Sequence, residues 1–206
     1  AVRSVSFFAE KGKTLAIVGE SGCGKSVTSK AIMGLIATPP GEIKAGSHII
    51  YNGKDILQQS EKEWESYRGA SCSMIFQDAL TSLNPTMNIG KQIIQNIINH
   101  YKVSKDEALK KAEHMLELVG IPDAHLCMKK YPHELSGGMR QRVMIAIALS
   151  GDPKVLIADE PTTALDVTIQ AQILDLMKKI QNEMHTTIIM ITHDLGVVAN
   201  VADRIV

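Results

Sequence analysis

The glycine-rich residues 19–26 carry the clearest chemical signal in the sequence. They match the pattern G-x-x-x-x-G-K-[ST] at every fixed position, reading Gly19, Glu20, Ser21, Gly22, Cys23, Gly24, Lys25 and Ser26. A polyphosphate needs several backbone N–H donors aimed at it, and only a glycine-rich turn presents them without obstructing side chains. In this pattern the lysine, Lys25, places its charge at the β- and γ-phosphates, and the hydroxyl of Ser26 binds Mg²⁺. The segment, together with the adjoining Val27, is therefore predicted to bind the phosphates of a nucleotide.

Two adjacent carboxylates predict the second half of this site. Asp159 and Glu160 follow directly after the apolar run 155–158. Enzymes with a phosphate loop place an acidic residue at the end of a neighbouring strand to hold Mg²⁺, and Asp159 fits that role. Glu160 is then the candidate to orient or deprotonate an attacking water as a general base. The alternative interpretation is a solvated strand end with no chemical role.

The elements that must position these groups alternate between apolar strands and helices. Strands are predicted at 15–18, 73–76, 155–158 and 187–191, and helices at 26–36, 138–149 and 166–184. Such an alternation is typical of an α/β fold with a mainly parallel sheet that is covered on both faces. A strand at 47–51 before the turn Asn52-Gly53 predicts a small antiparallel part. The last residues, Ile205 and Val206, are interpreted as the opening of another strand.

Residues from about 84 to 150 are predicted to form a helical insertion in this α/β fold. Within it, Ser104 and Glu107 have the spacing of a capping box. An apolar stripe at helical spacing follows and is more typical of core than of a partner surface. The stripe comprises Ala108, Leu109, Ala112, Met115, Leu116 and Val119. The prediction is a single domain over 1–206, with an α/β core at 1–83 and 151–206 and with both ends cut.

A second glycine motif begins the helix predicted at 138–149. The sequence Leu135-Ser136-Gly137-Gly138-Met139 resembles the signature motif of ABC ATPases and, as in that family, lies between the phosphate loop and the paired carboxylates. The free N–H groups at a helix start form an anion site. The resemblance implies that this motif covers the γ-phosphate of an ATP bound by a second subunit. Taken alone, Ser-Gly-Gly before a helix is an ordinary capped start.

Other positions match the same family residue by residue. Gln77 resembles the Q-loop glutamine, which implies a contact with Mg²⁺ and water that senses a transmembrane partner. The segment 164–166 resembles the D-loop, which implies that Asp166 lies at the seam of a dimer. His193 resembles the switch histidine, which implies that it reaches the γ-phosphate and is catalytic together with Glu160 and Lys25. The family resemblance implies a P-loop NTPase fold whose helical subdomain carries the signature motif.

Longer sequence segments resemble those of the ATP-binding subunits of bacterial dipeptide and oligopeptide importers, a group of related proteins that also includes nickel-importer subunits. These segments are residues 76–78, 81–85, 131–136 and 157–168. One departure is Ala79, where the family usually has proline. The resemblance implies an ATP- and Mg²⁺-dependent motor, in which ATP closes a head-to-tail dimer and hydrolysis reopens it.

The same resemblance implies a set of partners and a location. The partners are a second ATPase subunit, identical or different, two transmembrane permease subunits and, indirectly, an extracytoplasmic solute-binding protein. The expected place is the cytoplasmic face of the bacterial plasma membrane, where the chain is peripheral.

The composition and motifs of the chain also disfavour three other functions: nucleic-acid binding, a soluble ABC ATPase, and a subunit that binds ATP without hydrolysing it. The 22 Lys and Arg residues balance the 22 Asp and Glu residues, so no basic footprint is visible and no nucleic-acid partner is predicted. A soluble ABC ATPase acting on DNA or ribosomes would favour long coiled-coil inserts or tandem cassettes, and the sequence has neither. A subunit that binds ATP without hydrolysing it is disfavoured because Glu160 and His193 are both present.

Overall fold

The computed structural model describes residues 2–163 and 165–206, with strands and helices alternating along the chain. The strands are β1 Thr14–Val18, β2 Ile50–Tyr51, β3 Lys54–Asp55, β4 Cys72–Ile75, β5 Val155–Asp159, β6 Thr187–Thr192 and β7 Arg204–Ile205. The helices are α1 Lys25–Ile32, α2 Glu61–Tyr67, α3 Ala79–Ser82, α4 Ile89–His100, α5 Lys105–Leu118, α6 Ala124–Cys127, α7 Gly137–Leu149, α8 Val167–Met184 and α9 Leu195–Val201. The four predicted apolar strands are confirmed as β1, β4, β5 and β6.

The main sheet is parallel throughout and has the strand order β4-β5-β6-β1-β7 within the described residues. The α/β prediction is therefore confirmed. Parallel strands end at one common edge of a sheet, and ligands of open α/β sheets bind beyond that carboxyl edge. The phosphate loop follows β1, Gln77 follows β4, the paired carboxylates come at the end of β5, and His193 follows β6. The topology thus delivers these segments to one edge.

Side chains along the buried strands alternate between two apolar layers, as the period of two in a strand requires. Leu156 and Ala158 of β5 pack in the layer that includes residues of α4, α5, α7 and α8. Ile157 between them packs in the opposite layer with Met33 and Trp64. All three β5 side chains are fully buried. Burial on both faces fixes β5 firmly, and with it the residues at its carboxyl end.

Helices α4 to α7 lie between β4 and β5 in the chain, where the helical insertion is predicted. The capping box is confirmed: Glu107 N donates to Ser104 Oγ, and Ser104 N donates to a Glu107 carboxylate oxygen. The predicted stripe is buried except at Leu109, which is 40% exposed. The inclusion of Leu109 was wrong because that residue lies at the solvent edge of the apolar face. The division into core and subdomain stays a prediction.

Two element boundaries differ from the sequence prediction. Helix α1 ends at Ile32, because Gly34 turns the chain with a φ of 63° and a Cβ there would lie 2.9 Å from the Trp64 ring. The antiparallel part is confirmed, but its first strand is only Ile50–Tyr51. The preceding Ile49 N–H donates instead to the Asp55 carboxylate. The glycine at position 34 therefore ends α1, and the bond to Asp55 accompanies the short β2.

Candidate functional site: a phosphate loop and a carboxylate centre

The phosphate loop joins β1 to α1 and holds the ammonium group of Lys25 inside it. Gly24, just before the helix, has a φ of 103°, which glycine adopts without strain. Lys25 is only 6% exposed, and its Nζ donates to the carbonyls of Gly19 at 2.7 Å and Glu20 at 2.8 Å. The loop therefore fixes a positive charge at the N-terminus of a helix. Both features favour a bound anion.

The outer face of the loop is open to solvent. Glu20, Ser21 and Cys23 are exposed, and Val27 on the first turn of α1 is also exposed. The Cys23 sulfur lies 3.9 Å from Lys25 Nζ. A ligand bound along the loop would therefore cover the Cys23 thiol.

A hydrogen bond between two oxygen atoms that could bind Mg²⁺ links the phosphate loop to β5. Ser26 Oγ donates to Asp159 Oδ1 at 3.1 Å. Burial raises the pKa of Asp159 above its ordinary value; the bond from Ser26 opposes that rise, and the neighbouring Glu160 charge adds to it. Mg²⁺ takes oxygen ligands, typically one or two from the protein with the rest from water and substrate phosphates. The donor set of Ser26 and Asp159 fits that ion.

The Glu160 carboxylate contacts polar side chains from the segments that follow β4, β5 and β6. Its Oε2 accepts from Gln77 Nε2 and from Thr163 Oγ1, each at 2.9 Å. Its Oε1 is 3.1 Å from His193 Nδ1. Burial acts to raise the pKa of Glu160, but the bonds from Thr163 and His193 and the charge of Lys25 outweigh it. The pKa therefore lies below its ordinary value, and the carboxylate is ionised at neutral pH.

The backbone at Glu160 is unusual for a residue with a side chain. Its φ is 48°, in the left-handed region, and its N–H donates to the Ile191 carbonyl of β6 at 2.9 Å. Strained backbone of this kind persists only where the surrounding structure holds it, and it clusters at functional sites. Here the turn directs the Glu160 side chain toward Gln77 and His193.

The signature motif forms a separate surface. Ser136 caps α7 by accepting from Met139 N, while Leu135 is buried and Gly137 is exposed. A Cβ at Gly138 would lie 2.9 Å from Ile169 of α8, so glycine allows these helices to approach closely. Among the described residues, no hydrogen bond or ion pair joins the motif to the phosphate loop.

The D-loop segment borders this surface. Asp166 is exposed and caps α8 by accepting from Ile169 N at 2.9 Å. Ala164, in the same segment, lies outside the described residues, as does the side chain of Ala79. The structure thus groups the predicted residues into one phosphate and carboxylate site and one distinct motif surface beside Asp166.

The side-chain contacts of Thr163 and Arg142 were not predicted from the sequence. Thr163 bonds to Glu160, and Arg142 of α7 donates to Gln172 of α8 at 3.0 Å and to the Val119 carbonyl. Thr163 follows Glu160 by three residues across a proline, which is a turn signal that predicts a contact between them. For Arg142 the sequence offers no comparable local signal.

A family model described as ABC transporter matches residues 2–163, which is most of the chain. The chain belongs to the ABC transporter family. A second model, described as an AAA domain, putative AbiEii toxin of a type IV TA system, matches residues 130–199.

Curated relatives within the ABC transporter family match the whole chain. It is 62% identical to the oligopeptide transport ATP-binding protein OppD of Bacillus subtilis strain 168, covering 57% of that protein. It is 57% identical to the dipeptide transport ATP-binding protein DppD of the same strain, covering 61%. It is 53% identical to the glutathione import ATP-binding protein GsiA of Escherichia coli O157:H7, covering 34%. The chain therefore spans about three-fifths or less of the length of these relatives.

Solved structures of ABC cassettes share the fold. The dimeric structure of the ATP-binding cassette MJ0796, in a post-hydrolysis state bound to ADP and Pi, aligns with a TM-score of 0.81 at 27% identity. The alignment covers 95% of this chain and 81% of that one. CbiO1 from Clostridium perfringens, part of the ABC transporter complex cbiONQ, aligns with a TM-score of 0.82 at 28% identity over 98% of this chain and 75% of that one. No helix among the described residues of our chain is long and apolar enough to cross a membrane.

Proposed function

We propose that this ABC chain binds Mg-ATP and hydrolyses it as the motor subunit of a peptide importer. The proposal rests on one observation: the phosphate loop and the carboxylates that follow β5 lie together at one edge of the sheet. Lys25 and Ser26 of the phosphate loop lie beside Asp159, and Glu160 next to it bonds to Gln77 and His193. A phosphate site, a cation site and a base are the parts that hydrolysis of ATP requires.

Binding would rest on the loop and on α1. The backbone N–H groups of the loop and the Lys25 ammonium bind the phosphates, and the helix N-terminus adds to the attraction. Ser26, Asp159 and Gln77 would hold Mg²⁺, with Asp159 acting directly or through a water. When bound, that ion supplies positive charge that neutralises charge on the phosphate oxygens.

Hydrolysis would rest on Glu160. Its ionised carboxylate orients a water and accepts one of its protons as the oxygen attacks the γ-phosphorus and the bond to the β-phosphate oxygen breaks. The products are ADP and phosphate. His193, which is 3.1 Å from Glu160 and 60% exposed at its side chain, would turn toward the γ-phosphate. Lys25 stabilises the charge that develops on the transferred group.

The signature surface would act on a second subunit. Ser136 and the adjacent glycine N–H groups at the start of α7 would form an anion site, and Ser136 and Gly137 are exposed to solvent. In a head-to-tail dimer they would cover the γ-phosphate of the partner, with Asp166 at the seam. The similar cassette MJ0796 has been solved as a dimer, which supports pairing of two such subunits. ATP would close the dimer and hydrolysis would reopen it.

The transported class is proposed from the relatives. The proteins named above serve oligopeptide transport, dipeptide transport and glutathione import. Such a motor acts at the cytoplasmic face of the membrane with two permease subunits and, indirectly, a solute-binding protein. The partner ATPase subunit is identical or different.

Uptake by cells tests this proposal. A strain deleted for the gene is complemented with the wild type, with Glu160→Gln, or with Glu183→Gln as a matched control at an exposed carboxylate of α8. Labelled dipeptide, longer peptide and Ni²⁺ are supplied separately. The proposal expects peptide uptake in the wild type and the control but not in Glu160→Gln. Uptake of Ni²⁺ alone would contradict the peptide assignment, and undiminished uptake with Glu160→Gln would contradict the motor role.

A further inference from the structure

Thr163 makes two bonds to Glu160 and has no role in the function proposed above. Its Oγ1 donates to Glu160 Oε2 at 2.9 Å, and its backbone N–H donates to the Glu160 carbonyl at 3.1 Å. One residue therefore holds both the main chain and the carboxylate of the proposed base. The other two partners of that carboxylate, Gln77 and His193, bind it through their side chains only.

The turn that brings Thr163 back over Glu160 is well fixed. Pro161 follows Glu160, and its ring locks the backbone at the position where such turns favour proline. The first residue of the turn is tied to β6 by the bond from Glu160 N to the Ile191 carbonyl. The Thr163 hydroxyl is one rotatable bond away from this backbone, and a β-branched side chain is stiff at that bond. Its oxygen is therefore held more closely than the end of a long side chain.

The remaining partners of Glu160 have competing tasks in the proposed reaction. Gln77 is proposed to contact Mg²⁺ and water, and His193 the γ-phosphate. Both are exposed and reach Glu160 from the ends of other strands. When their polar groups turn to the nucleotide, their bonds to the carboxylate weaken or break. Thr163 keeps its bond, because it belongs to the same turn as Glu160.

We infer that Thr163 is a positioning residue that keeps the Glu160 carboxylate aimed at the attacking water while Gln77 and His193 exchange partners. This inference rests on the proposed function. It predicts that the hydroxyl matters most and that the methyl group, which stiffens the side chain, contributes less. A small misplacement of a reacting group costs up to about 10²-fold in rate. The loss should fall on kcat, since no hydrogen bond among the described residues joins Thr163 to the phosphate loop.

The test compares Thr163→Val, which removes the hydroxyl at nearly constant shape, with Thr163→Ser, which retains it. Steady-state ATP hydrolysis is measured on the full subunit in complex with its membrane partners. We expect Thr163→Val to lower kcat by about tenfold to a hundredfold with KM for ATP unchanged, and Thr163→Ser to stay within about threefold of wild type. Wild-type turnover in Thr163→Val, or an equal loss in Thr163→Ser, would overturn the inference.

A matched control separates positioning from folding. Thr186 is buried, and its hydroxyl donates to the Pro153 carbonyl at the amino-terminal end of the strands, opposite the site. Thr186→Val removes one threonine hydrogen bond as well. It should lower the unfolding temperature and leave kcat unchanged, whereas Thr163→Val should lower kcat with little change in unfolding temperature. The reverse pattern would assign Thr163 a merely structural role.

A double-mutant cycle with Glu160→Gln decides whether Thr163 acts through the base. If it does, adding Thr163→Val to Glu160→Gln causes no further loss of the residual rate. A further tenfold loss would overturn the inference while leaving the proposed function intact. Unchanged hydrolysis by Glu160→Gln alone would instead overturn the proposed role of the base, and the inference with it.

Discussion

Replacing Lys25 by alanine should remove most of the affinity of this chain for Mg-ATP. Lys25 Nζ makes bonds of 2.7 and 2.8 Å to two loop carbonyls, and the residue is 6% exposed. The loop therefore holds the ammonium where the phosphates bind, with little side-chain entropy left to lose on binding. One hydrogen bond to a charged partner is worth about 1.5–3 kcal/mol. At about 1.4 kcal/mol per tenfold change in Kd, the variant should bind roughly 10- to 150-fold more weakly.

The assay is titration calorimetry with Mg-ATP on wild type and Lys25→Ala. Lys178→Ala, at an exposed position of α8, is the matched control for loss of one positive charge from a helix. A Kd for Lys25→Ala within about threefold of wild type would refute the assignment of the loop. So would an equal weakening in the control, because the effect would then come from net charge.

Three further predictions follow from the geometry. Ser136→Arg should retain Mg-ATP binding by the isolated chain and lose about 10²–10³-fold in turnover of the assembled protein, because it removes the Ser136 hydroxyl and places a large side chain at the surface proposed to serve the partner's phosphate. Loss of binding by the monomer would contradict this. Cys23 is exposed beside the loop and should be alkylated readily, with Mg-ATP slowing the reaction; equal labelling rates with and without Mg-ATP would show that the nucleotide does not cover it. Asp203→Asn should lower the free energy of unfolding slightly at neutral pH, since the bond from Thr14 N lowers the pKa of Asp203; the effect is small because this carboxylate is exposed and screened by solvent. That difference should vanish in urea unfolding as the pH falls through the lowered pKa, and a constant difference down to acidic pH would refute it.

Local signals in the sequence were sufficient for much of the fold. The apolar runs became β1, β4, β5 and β6, because a strand buried on both faces must be apolar throughout. The capping box at Ser104 formed because both of its bonds lie within four residues of chain. The phosphate loop is equally local, since its pattern contains the glycines and the lysine that its conformation requires.

Contacts between distant segments account for what the sequence did not reveal. The bonds of Glu160 to Gln77 and His193 join residues 83 and 33 positions apart, and no spacing rule predicts their geometry. Thr163 is the exception, because its contact with Glu160 lies within one turn and was within reach of a local argument. The chemical roles of all these residues stay predictions.

The rate of phosphate release from Mg-ATP by Glu160→Gln tests the central claim most directly. Wild type, Glu160→Gln and the Glu183→Gln control are compared in the assembled transporter at equal ATP occupancy. The account predicts that Glu160→Gln binds Mg-ATP with a Kd within about threefold of wild type and turns over roughly 10²–10⁴-fold more slowly, which is what a general base contributes. The control should match wild type. Near-normal turnover by Glu160→Gln would contradict the account.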